Sequence, residues 1–244
     1  MIESILLIIL IAFAATLFRS TFGFGEALIA VPLLSIFIPM STAVPLAVMM
    51  SILVAAIILI QDHAKVQFHS AKWLILFAII GIPFGLALLF FGNETIVKII
   101  LGAAIILYSL YTLLNNPKFY LENDSKLWLF ICGFLSGIFG GAYGVNGPPL
   151  VVYGNLRRWD AQNFRATLQA YFLVAGAISM AGYIGNGMIN TELLLDFAYT
   201  IPAIIPAIFI GRYLNHKIKG ESFYTYVYVG LILIGAILIL NAVI

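Results

Sequence analysis

The sequence contains little charge. Only 9% of its 244 residues are Asp, Glu, Lys or Arg, whereas soluble globular domains carry about 25%. Hydrophobic residues make up 63% of the chain, above the roughly 45–50% that is usual for soluble proteins. Such a composition does not supply enough polar side chains to cover a water-exposed surface. The shortage of charge therefore argues against a soluble globular protein.

Features of several other protein classes are also missing. The formal net charge is only +2, and without a basic stripe we expect no nucleic-acid partner. The single cysteine, Cys132, excludes an intrachain disulfide. Three histidines, His63, His69 and His216, lie in polar connectors and show no metal-ligand pairing with cysteine or nearby carboxylates, so no metal site is expected. No cluster of nucleophile and base is visible, so we expect neither enzymatic activity nor a cofactor.

Most of the sequence consists of long runs without charged residues. About 20 consecutive apolar residues cross a bilayer as a helix. Residues 1–18 lack a basic start and a cleavage site, which favours a retained helix over a signal peptide. The sequence predicts an all-α, polytopic helical membrane protein. The charge-free runs are 27–61, 73–93, 99–117, 127–156, 166–191 and 222–244.

Breaker residues and charges divide the chain into ten apolar segments, five in each half. The polar stretch 115–126 is the predicted linker between a first repeat, 1–114, and a second repeat, 127–244. The predicted segments of the first repeat are 2–18, 27–38, 42–61, 72–91 and 95–114. Those of the second repeat are 127–139, 148–156, 161–184, 192–213 and 222–243.

A shift of 117 residues aligns the two halves weakly. Phe22-Gly23 then coincides with Phe139-Gly140, and Pro32-Leu33 coincides with Pro149-Leu150. An odd number of segments in each half predicts that the second copy is inverted in the membrane, as in many secondary transporters. We therefore expect two inverted-topology repeats with broken or re-entrant helices.

Basic residues are unequally distributed between the connectors. Connectors 92–94 and 185–191 contain no Lys or Arg, whereas the connectors that alternate with them are basic. By the positive-inside rule the basic connectors are cytoplasmic. The prediction is a multi-pass protein of the cytoplasmic membrane with both termini on the outer side. The basic connectors, 62–72, 115–126 and 214–221, contain Lys65, Lys72, Lys118, Lys126, Lys217 and Lys219.

Two segments, 27–38 and 148–156, are too short to cross the membrane, since a helix rises about 1.5 Å per residue and the hydrocarbon is about 30 Å thick. Each follows a glycine-rich stretch, 19–26 or 139–149. Unwound backbone at membrane depth is tolerated where it lines a cavity. Interrupted segments at matching places in two halves indicate a transporter's binding site. We expect the two stretches to meet near the midplane.

The chemistry of these stretches favours a small anion. Glycines allow backbone N–H groups to turn toward an anion, and helix N-termini carry partial positive charge. Arginines inside a membrane are costly and rarely face lipid. The stretch 44–54 contains no charge, so the second half is expected to supply the charged contacts. The predicted substrate-binding residues are Arg19, Ser20, Thr21, Gly23, Gly25, Gly140, Gly141, Tyr143, Asn146, Gly147, Arg165 and Gln169.

Structural roles for the same residues remain open alternatives. Glycines in membrane helices often serve close packing. Arg19 has Glu26 within reach as an ion-pair partner, and Arg165 and Gln169 can belong to a cluster at the start of their helix. Asp160 is predicted to cap that helix. Glu26 would repel an anion unless it is protonated or paired, which leads to the hypothesis that it binds a proton during transport.

The strings GVNGPPLVVY and FRATLQ, within residues 133–172, and FGFGEALIAVPLL at 22–34 carry a family resemblance. With these motifs the sequence resembles the sulfite exporter TauE/SafE family of membrane permeases over nearly the whole chain. Many members have a run of glycines where residues 25–27 stand, so Glu26 is a departure. The resemblance implies transport of small sulfur-containing anions such as sulfite, thiosulfate or short organosulfonates like sulfoacetate.

The predicted mechanism is alternating access. Export is favoured, because the family contains exporters and an anion leaves a negative interior downhill. The alternatives are proton-coupled uptake that uses Glu26, an anion channel, and a membrane enzyme or assembly factor. The expected partners are a small anionic substrate and the bilayer, with protons and a second copy in a homodimer left open.

Overall fold

The computed structural model describes residues 2–91, 94–115, 120–217 and 222–243, which form ten α-helices and one 3₁₀ turn. The helices of the first half are α1 (Ile2–Phe22), α2 (Glu26–Leu34), α3 (Met40–Asp62), α4 (Phe68–Phe91) and α5 (Glu94–Asn115). Those of the second half are α6 (Lys126–Tyr143), α7 (Gly147–Leu156), α8 (Ala161–Gly185), α9 (Thr191–Lys217) and α10 (Ser222–Val243).

Six helices in the described part of the chain are long and apolar enough to cross a membrane. They are α1, α3, α4, α6, α8 and α9, with α3 the most apolar at a mean hydropathy of 2.8. Large apolar side chains such as Phe84, Phe209 and Ile80 remain more than two-fifths exposed, as is expected of surfaces that face lipid. The prediction of an all-α polytopic membrane protein is confirmed.

The observed helices follow the predicted segments, but the interruptions between them are shorter than expected. Helix α1 continues to Phe22 and α6 to Tyr143. The unwound parts are therefore break 1 (residues 23–25) and break 2 (residues 144–146). Polar residues stay helical where they find partners: the Thr21 hydroxyl donates to the carbonyl of Leu17 one turn earlier, at 2.8 Å. The prediction made from small and polar residues alone therefore overestimated the length of the unwound stretches.

Helix α8 begins as the sequence predicts. The side chain of Asp160 accepts a hydrogen bond from the backbone N–H of Asn163, with an oxygen–nitrogen distance of 2.7 Å. This bond satisfies one of the N–H groups that the first turn of a helix leaves unpaired. The N-cap prediction is confirmed.

Helices α6 and α7 form a hairpin whose two ends lie close together. The N–H of Leu121 donates to the carbonyl of Leu156 at the end of α7, over 2.7 Å. Arg157 donates to the carbonyl of Leu121 at 2.6 Å and to the carboxylate of Asp124 at 3.0 Å. Because residues 121–124 precede α6 directly, both ends of the α6–α7 hairpin lie on the same side. Helix α7 therefore returns to the side from which α6 starts.

Glycines bring α6 and α4 into backbone contact. A methyl group added at Gly137 would lie 2.4 Å from the carbonyl oxygen of Ala78, and one at Gly141 would lie 2.5 Å from that of Ile82. Such distances leave no room for a side chain, which is the usual use of small residues between membrane helices. Helix α4 thus supports the helix that leads into break 2.

Helices of one half pack mainly against helices of the other. Helix α1 lies on α9 and α6 on α4, while α3 lies on α8 and α5 on α10. A duplicated chain is expected to repeat its pairings in this way. The repeat boundaries at 114 and 127, the inverted orientation and the cytoplasmic side stay predictions. Lys118 and Lys219, which contribute to the charge argument, lie outside the described residues.

Candidate functional site

Inside the bundle, break 1 packs against the start of α7, and break 2 packs against the start of α2. A methyl group added at Gly147 would lie 3.0 Å from the ring of Phe24, and one at Gly144 would lie 3.6 Å from Cβ of Ala27. Gly25 and Gly144 have φ angles of 97° and 68°, in the left-handed region that glycine enters without steric cost. The chain therefore bends sharply at two places that come together in space.

A cavity with an empty volume of about 260 Å³, counting the space at its opening, lies where the breaks meet. Its wall is formed by the starts of α2 and α7 and by side chains of α1, α3 and α8. The lining residues are Arg19, Gly25, Glu26, Ala27, Leu28, Ser51, Gly144, Val145, Asn146, Gly147 and Phe172.

Two helix N-termini contribute to this wall. The first N–H groups of a helix have no intrahelical partner and carry partial positive charge. At the start of α2, Glu26, Ala27 and Leu28 all carry such a group. At the start of α7, Pro148 and Pro149 have no N–H, so this helix offers fewer donors. Both ends attract negative charge, and α2 has the larger capacity for hydrogen bonds.

The charged residues of the wall are an ion pair, Arg19 and Glu26. Their side chains are 2% and 1% exposed. The Nη1 atom of Arg19 donates to the carboxylate of Glu26, and also to the hydroxyl of Ser51 at 2.6 Å. The hydroxyl of Thr16 donates to the other carboxylate oxygen at 2.9 Å. The cavity thus contains both signs of charge and no net charge while Glu26 is ionised.

Helix α8 holds the guanidinium of Arg19 in position. The side-chain oxygen of Gln169 accepts from Nε and Nη2 of Arg19, at 3.0 and 2.7 Å, and the amide nitrogen of Gln169 donates to the carbonyl of Gly23 at 2.9 Å. The ring of Phe172 lies 4.8 Å from Cζ of Arg19, a cation–π distance. One N–H on Nη2 has no hydrogen-bond partner among the described residues.

Arg165 does not line the cavity. It is completely buried and donates to the carboxylate of Asp62 at the end of α3. Arg165 precedes Phe172 by two helical turns, or about 10 Å along α8, and so lies level with the end of α3. The expectation that the second half supplies the charged contacts is therefore not met in the cavity. There, both charged lining residues, Arg19 and Glu26, come from the first half.

The remaining predicted residues divide into two groups. Those that line the cavity are Arg19, Gly25, Asn146 and Gly147, with Gln169 directly behind Arg19. The others pack elsewhere: Ser20 lies against Gly211 of α9, where an added methyl would be 2.4 Å from Cβ of Ser20, and Gly141 lies against α4. Residues predicted to bind but found outside the cavity lining are Ser20, Thr21, Gly23, Gly140, Gly141, Tyr143 and Arg165.

Sequence reasoning missed several residues of the site. Ser51 is the only polar residue of α3 between Thr42 and Gln61, and a lone hydroxyl in so apolar a helix was a usable signal. Thr16 and Phe172 gave no comparable signal, because a threonine and a phenylalanine are ordinary in membrane helices. Whether these two residues lie at the site depends on which faces of α1 and α8 pack against each other.

Comparisons with known proteins agree with the motifs. Residues 8–238 match the family described as sulfite exporter TauE/SafE. A curated protein of Cupriavidus necator, named probable sulfite/organosulfonate exporter TauE, is 24% identical over 149 residues. This alignment covers 61% of the present chain and 58% of that relative, so it spans less than two thirds of the relative's length. No solved structure matches the chain.

Proposed function

The chain belongs to the sulfite exporter TauE/SafE family, and from this premise we propose that it is a secondary transporter of small sulfur-containing anions. The proposed substrates are sulfite, thiosulfate and short organosulfonates such as sulfoacetate. The protein acts in the cytoplasmic membrane, with its basic connectors inside and both termini outside. The substrate class rests on the family and on the name of the relative.

One observation supports an anion site in the cavity: two helix N-termini and a guanidinium converge on it. An oxyanion there can accept hydrogen bonds from the N–H groups of Ala27 and Leu28 and from the remaining N–H of Arg19. The side-chain amide of Asn146 makes no hydrogen bond within the described residues and offers a further donor. Charge-assisted hydrogen bonds of this kind are stronger than neutral ones.

Glu26 couples anion binding to a proton in this proposal. An ionised Glu26 already occupies Arg19, and it repels an incoming anion by about 4 kcal/mol at 4 Å if the effective dielectric constant is about 20. Protonation of Glu26 removes this repulsion and changes the summed charge of Arg19 and Glu26 from zero to +1. Anion binding is then accompanied by proton uptake and strengthens as the pH falls.

Membrane potential favours export. One elementary charge gains about 2.3 kcal/mol per 100 mV when it moves down the potential, and the interior is negative. A proton carried on Glu26 together with a monovalent anion would make the step electroneutral. The dependence of flux on an imposed potential therefore measures whether the proton of Glu26 travels with the anion.

Alternating access is the proposed mode of transport. Both halves contribute to the cavity wall, so a rocking motion of one half against the other would open the cavity to each side in turn. A carrier of this kind saturates with substrate and exchanges labelled for unlabelled anion across the membrane. A channel passes current in proportion to concentration and shows no such exchange.

The test is efflux of labelled thiosulfate from proteoliposomes that contain the full chain. We expect saturable efflux with counter-flow, and background efflux from the double variant Arg19→Gln, Glu26→Gln, which keeps the cavity neutral but removes its guanidinium. Flux proportional to concentration without counter-flow contradicts the carrier. Background flux of thiosulfate, sulfite and sulfoacetate by the natural chain contradicts the proposed function.

A further inference from the structure

A second group of charges lies outside the cavity and has no role in the proposed transport site. Asp62, at the end of α3, accepts hydrogen bonds from Arg165 of α8 and, at 3.0 Å, from Nη2 of Arg212 of α9. These three residues are named the Asp62 cluster. Two guanidinium groups share one carboxylate, so the cluster carries a charge of +1.

The Asp62 cluster has more hydrogen-bond donors than its carboxylate can satisfy. Nε and Nη2 of Arg165 are buried and have no hydrogen-bond partner among the residues that the structure describes, and the same is true of Nε of Arg212. Buried guanidinium N–H groups without an acceptor are destabilising, and such groups in native proteins call for an explanation. An additional oxyanion would neutralise the excess positive charge and accept hydrogen bonds from the unpaired N–H groups.

The members of the Asp62 cluster differ in their exposure to the outside of the bundle. Arg212 is 37% exposed, Asp62 10% and Arg165 0%, so exposure decreases from α9 inward. Along α3, Asp62 lies eleven residues after Ser51 of the cavity, about 16 Å away. The cluster therefore stands between the cavity and the end of the bundle where α3 and α9 finish.

We propose that Arg165 and Arg212 form a second oxyanion-binding site, which the carboxylate of Asp62 occupies in this structure. Guanidinium groups bind carboxylate and tetrahedral oxyanions in the same planar, two-pronged geometry. A carboxylate or sulfonate from solution can therefore replace Asp62 or join it on the unpaired nitrogens. This site is separate from the cavity and does not depend on proton binding by Glu26.

Removal of the internal carboxylate is the direct test. In Asp62→Ala the two arginines are left without their acceptor, and a free anion can take its place. We expect sodium acetate and sodium methanesulfonate to raise the thermal unfolding midpoint of the purified full-length variant by about 3–6 °C at about ten times the Kd, relative to chloride at equal ionic strength. The natural chain, whose site is filled, should shift by less than half as much.

Two further variants locate the effect. Addition of Arg212→Gln to Asp62→Ala should reduce the anion-dependent shift at least twofold. Addition of Arg19→Gln with Glu26→Gln, which disables the cavity, should leave the shift intact. Equal shifts in the natural chain and in Asp62→Ala overturn the second site, and so does disappearance of the shift when the cavity is disabled.

If Asp62→Ala does not fold, Asp62→Asn is the alternative variant, because asparagine keeps the size of the aspartate side chain. With the cavity disabled by Arg19→Gln and Glu26→Gln in both proteins, labelled thiosulfate should bind at least tenfold more tightly when Asp62→Asn is also present than when Asp62 is kept, and binding no tighter overturns the proposal. These readouts are independent of transport. Anion rescue without any thiosulfate flux would contradict the proposed function and leave the second site supported.

Discussion

Break 1 and break 2 occupy matching places in the two halves, but they differ in chemistry. Break 1 is flanked by the buried pair Arg19 and Glu26 and opens into a helix whose first residues all carry N–H groups. Break 2 places no charged residue in the cavity wall and opens into a helix that begins Gly-Pro-Pro. The same kind of glycine-rich helix interruption therefore occurs once beside charged residues and once without them.

The supports of the two breaks differ as well. The helix before break 2 contacts α4 through glycine, as at Gly141, and the end of α7 is fastened to residues 121–124 by Arg157. Break 1 is held by hydrogen bonds between its own charged neighbour, Arg19, and Gln169 of α8. In the cavity wall, break 2 therefore contributes only neutral groups, whereas both charged lining residues flank break 1.

The largest effect should come from Arg19→Gln, which removes the guanidinium that lines the cavity. We expect thiosulfate flux in proteoliposomes to fall at least 100-fold. The same change leaves Glu26 buried without its partner, and breaking a buried ion pair destabilises a protein by about 3–5 kcal/mol. Thermal unfolding should therefore show a lower midpoint.

The matched control adds Glu26→Gln to Arg19→Gln. This double variant contains no unpaired charge, so we expect much of the stability to return while flux stays lost. Recovery of flux together with stability would show that Arg19 serves folding alone. The electrical contrast between the breaks would then have no functional meaning.

Glu26→Gln by itself should change the pH dependence of binding. In the natural chain we expect the affinity for thiosulfate to fall as the pH rises, because an ionised Glu26 repels the anion and occupies Arg19. The variant should bind about 10-fold to 100-fold more tightly at alkaline pH, and its affinity should not vary with pH. Equilibrium binding across the neutral range measures this, since the charge of thiosulfate does not change there.

The opposite outcome for Glu26→Gln is also clear. If the variant retains the pH dependence and the affinity of the natural chain, Glu26 has no part in proton coupling. Like break 2, break 1 would then contribute no acidic group that influences the binding of the substrate.

Gly141→Ala tests whether the glycines before break 2 pack or bind. An added methyl would lie 2.5 Å from the carbonyl oxygen of Ile82, and overpacking of this kind costs about 1–3 kcal/mol. We expect a lower unfolding midpoint and an affinity for thiosulfate within twofold of the natural chain. Gly185→Ala is the control, because nothing lies within 4 Å of a methyl group there. Weaker binding with unchanged stability would return Gly141 to the binding site.

The smallest effect should come from Asn146→Ala in break 2. The amide of Asn146 donates at most one or two hydrogen bonds to the anion, and a hydrogen bond to a charged group contributes about 1.5–3 kcal/mol. Because break 2 is the neutral side of the site, we expect the lower end of this range, about a 10-fold rise in Kd with unchanged pH dependence. A loss as large as that of Arg19→Gln would abolish the contrast between the breaks.

Much of the fold follows from the sequence, because hydrophobic runs and helix breakers act over short distances. All ten predicted segments correspond to helices, and the cap at Asp160 is present. The lengths of the interruptions were less accurate: α1 extends four residues and α6 four residues beyond the predicted ends at 18 and 139. Buried partners keep polar and glycine residues helical, and local composition does not contain that information.

The candidate site was predictable only in part. Arg165 and Gln169, four residues apart on α8, were both predicted to bind the anion. In the structure Gln169 holds Arg19, whereas Arg165 pairs with Asp62. Helical periodicity identifies the face of a side chain but not its depth in the membrane. One turn of α8 was enough to separate a cavity neighbour from a different cluster.

The sequence by itself determined that the chain lies in a membrane and that it bends at two glycine-rich places. Both features depend on residues that are close together in the chain, because such residues set the local hydrophobicity and the freedom of the backbone. Only the tertiary structure decided which charges meet. Arg165 and Asp62 are 103 residues apart in the chain, and Arg19 and Gln169 are 150 apart. The packing of α1, α3, α8 and α9 selects these partners, since each buried charge must find a counter-charge or a hydrogen bond wherever its helix places it.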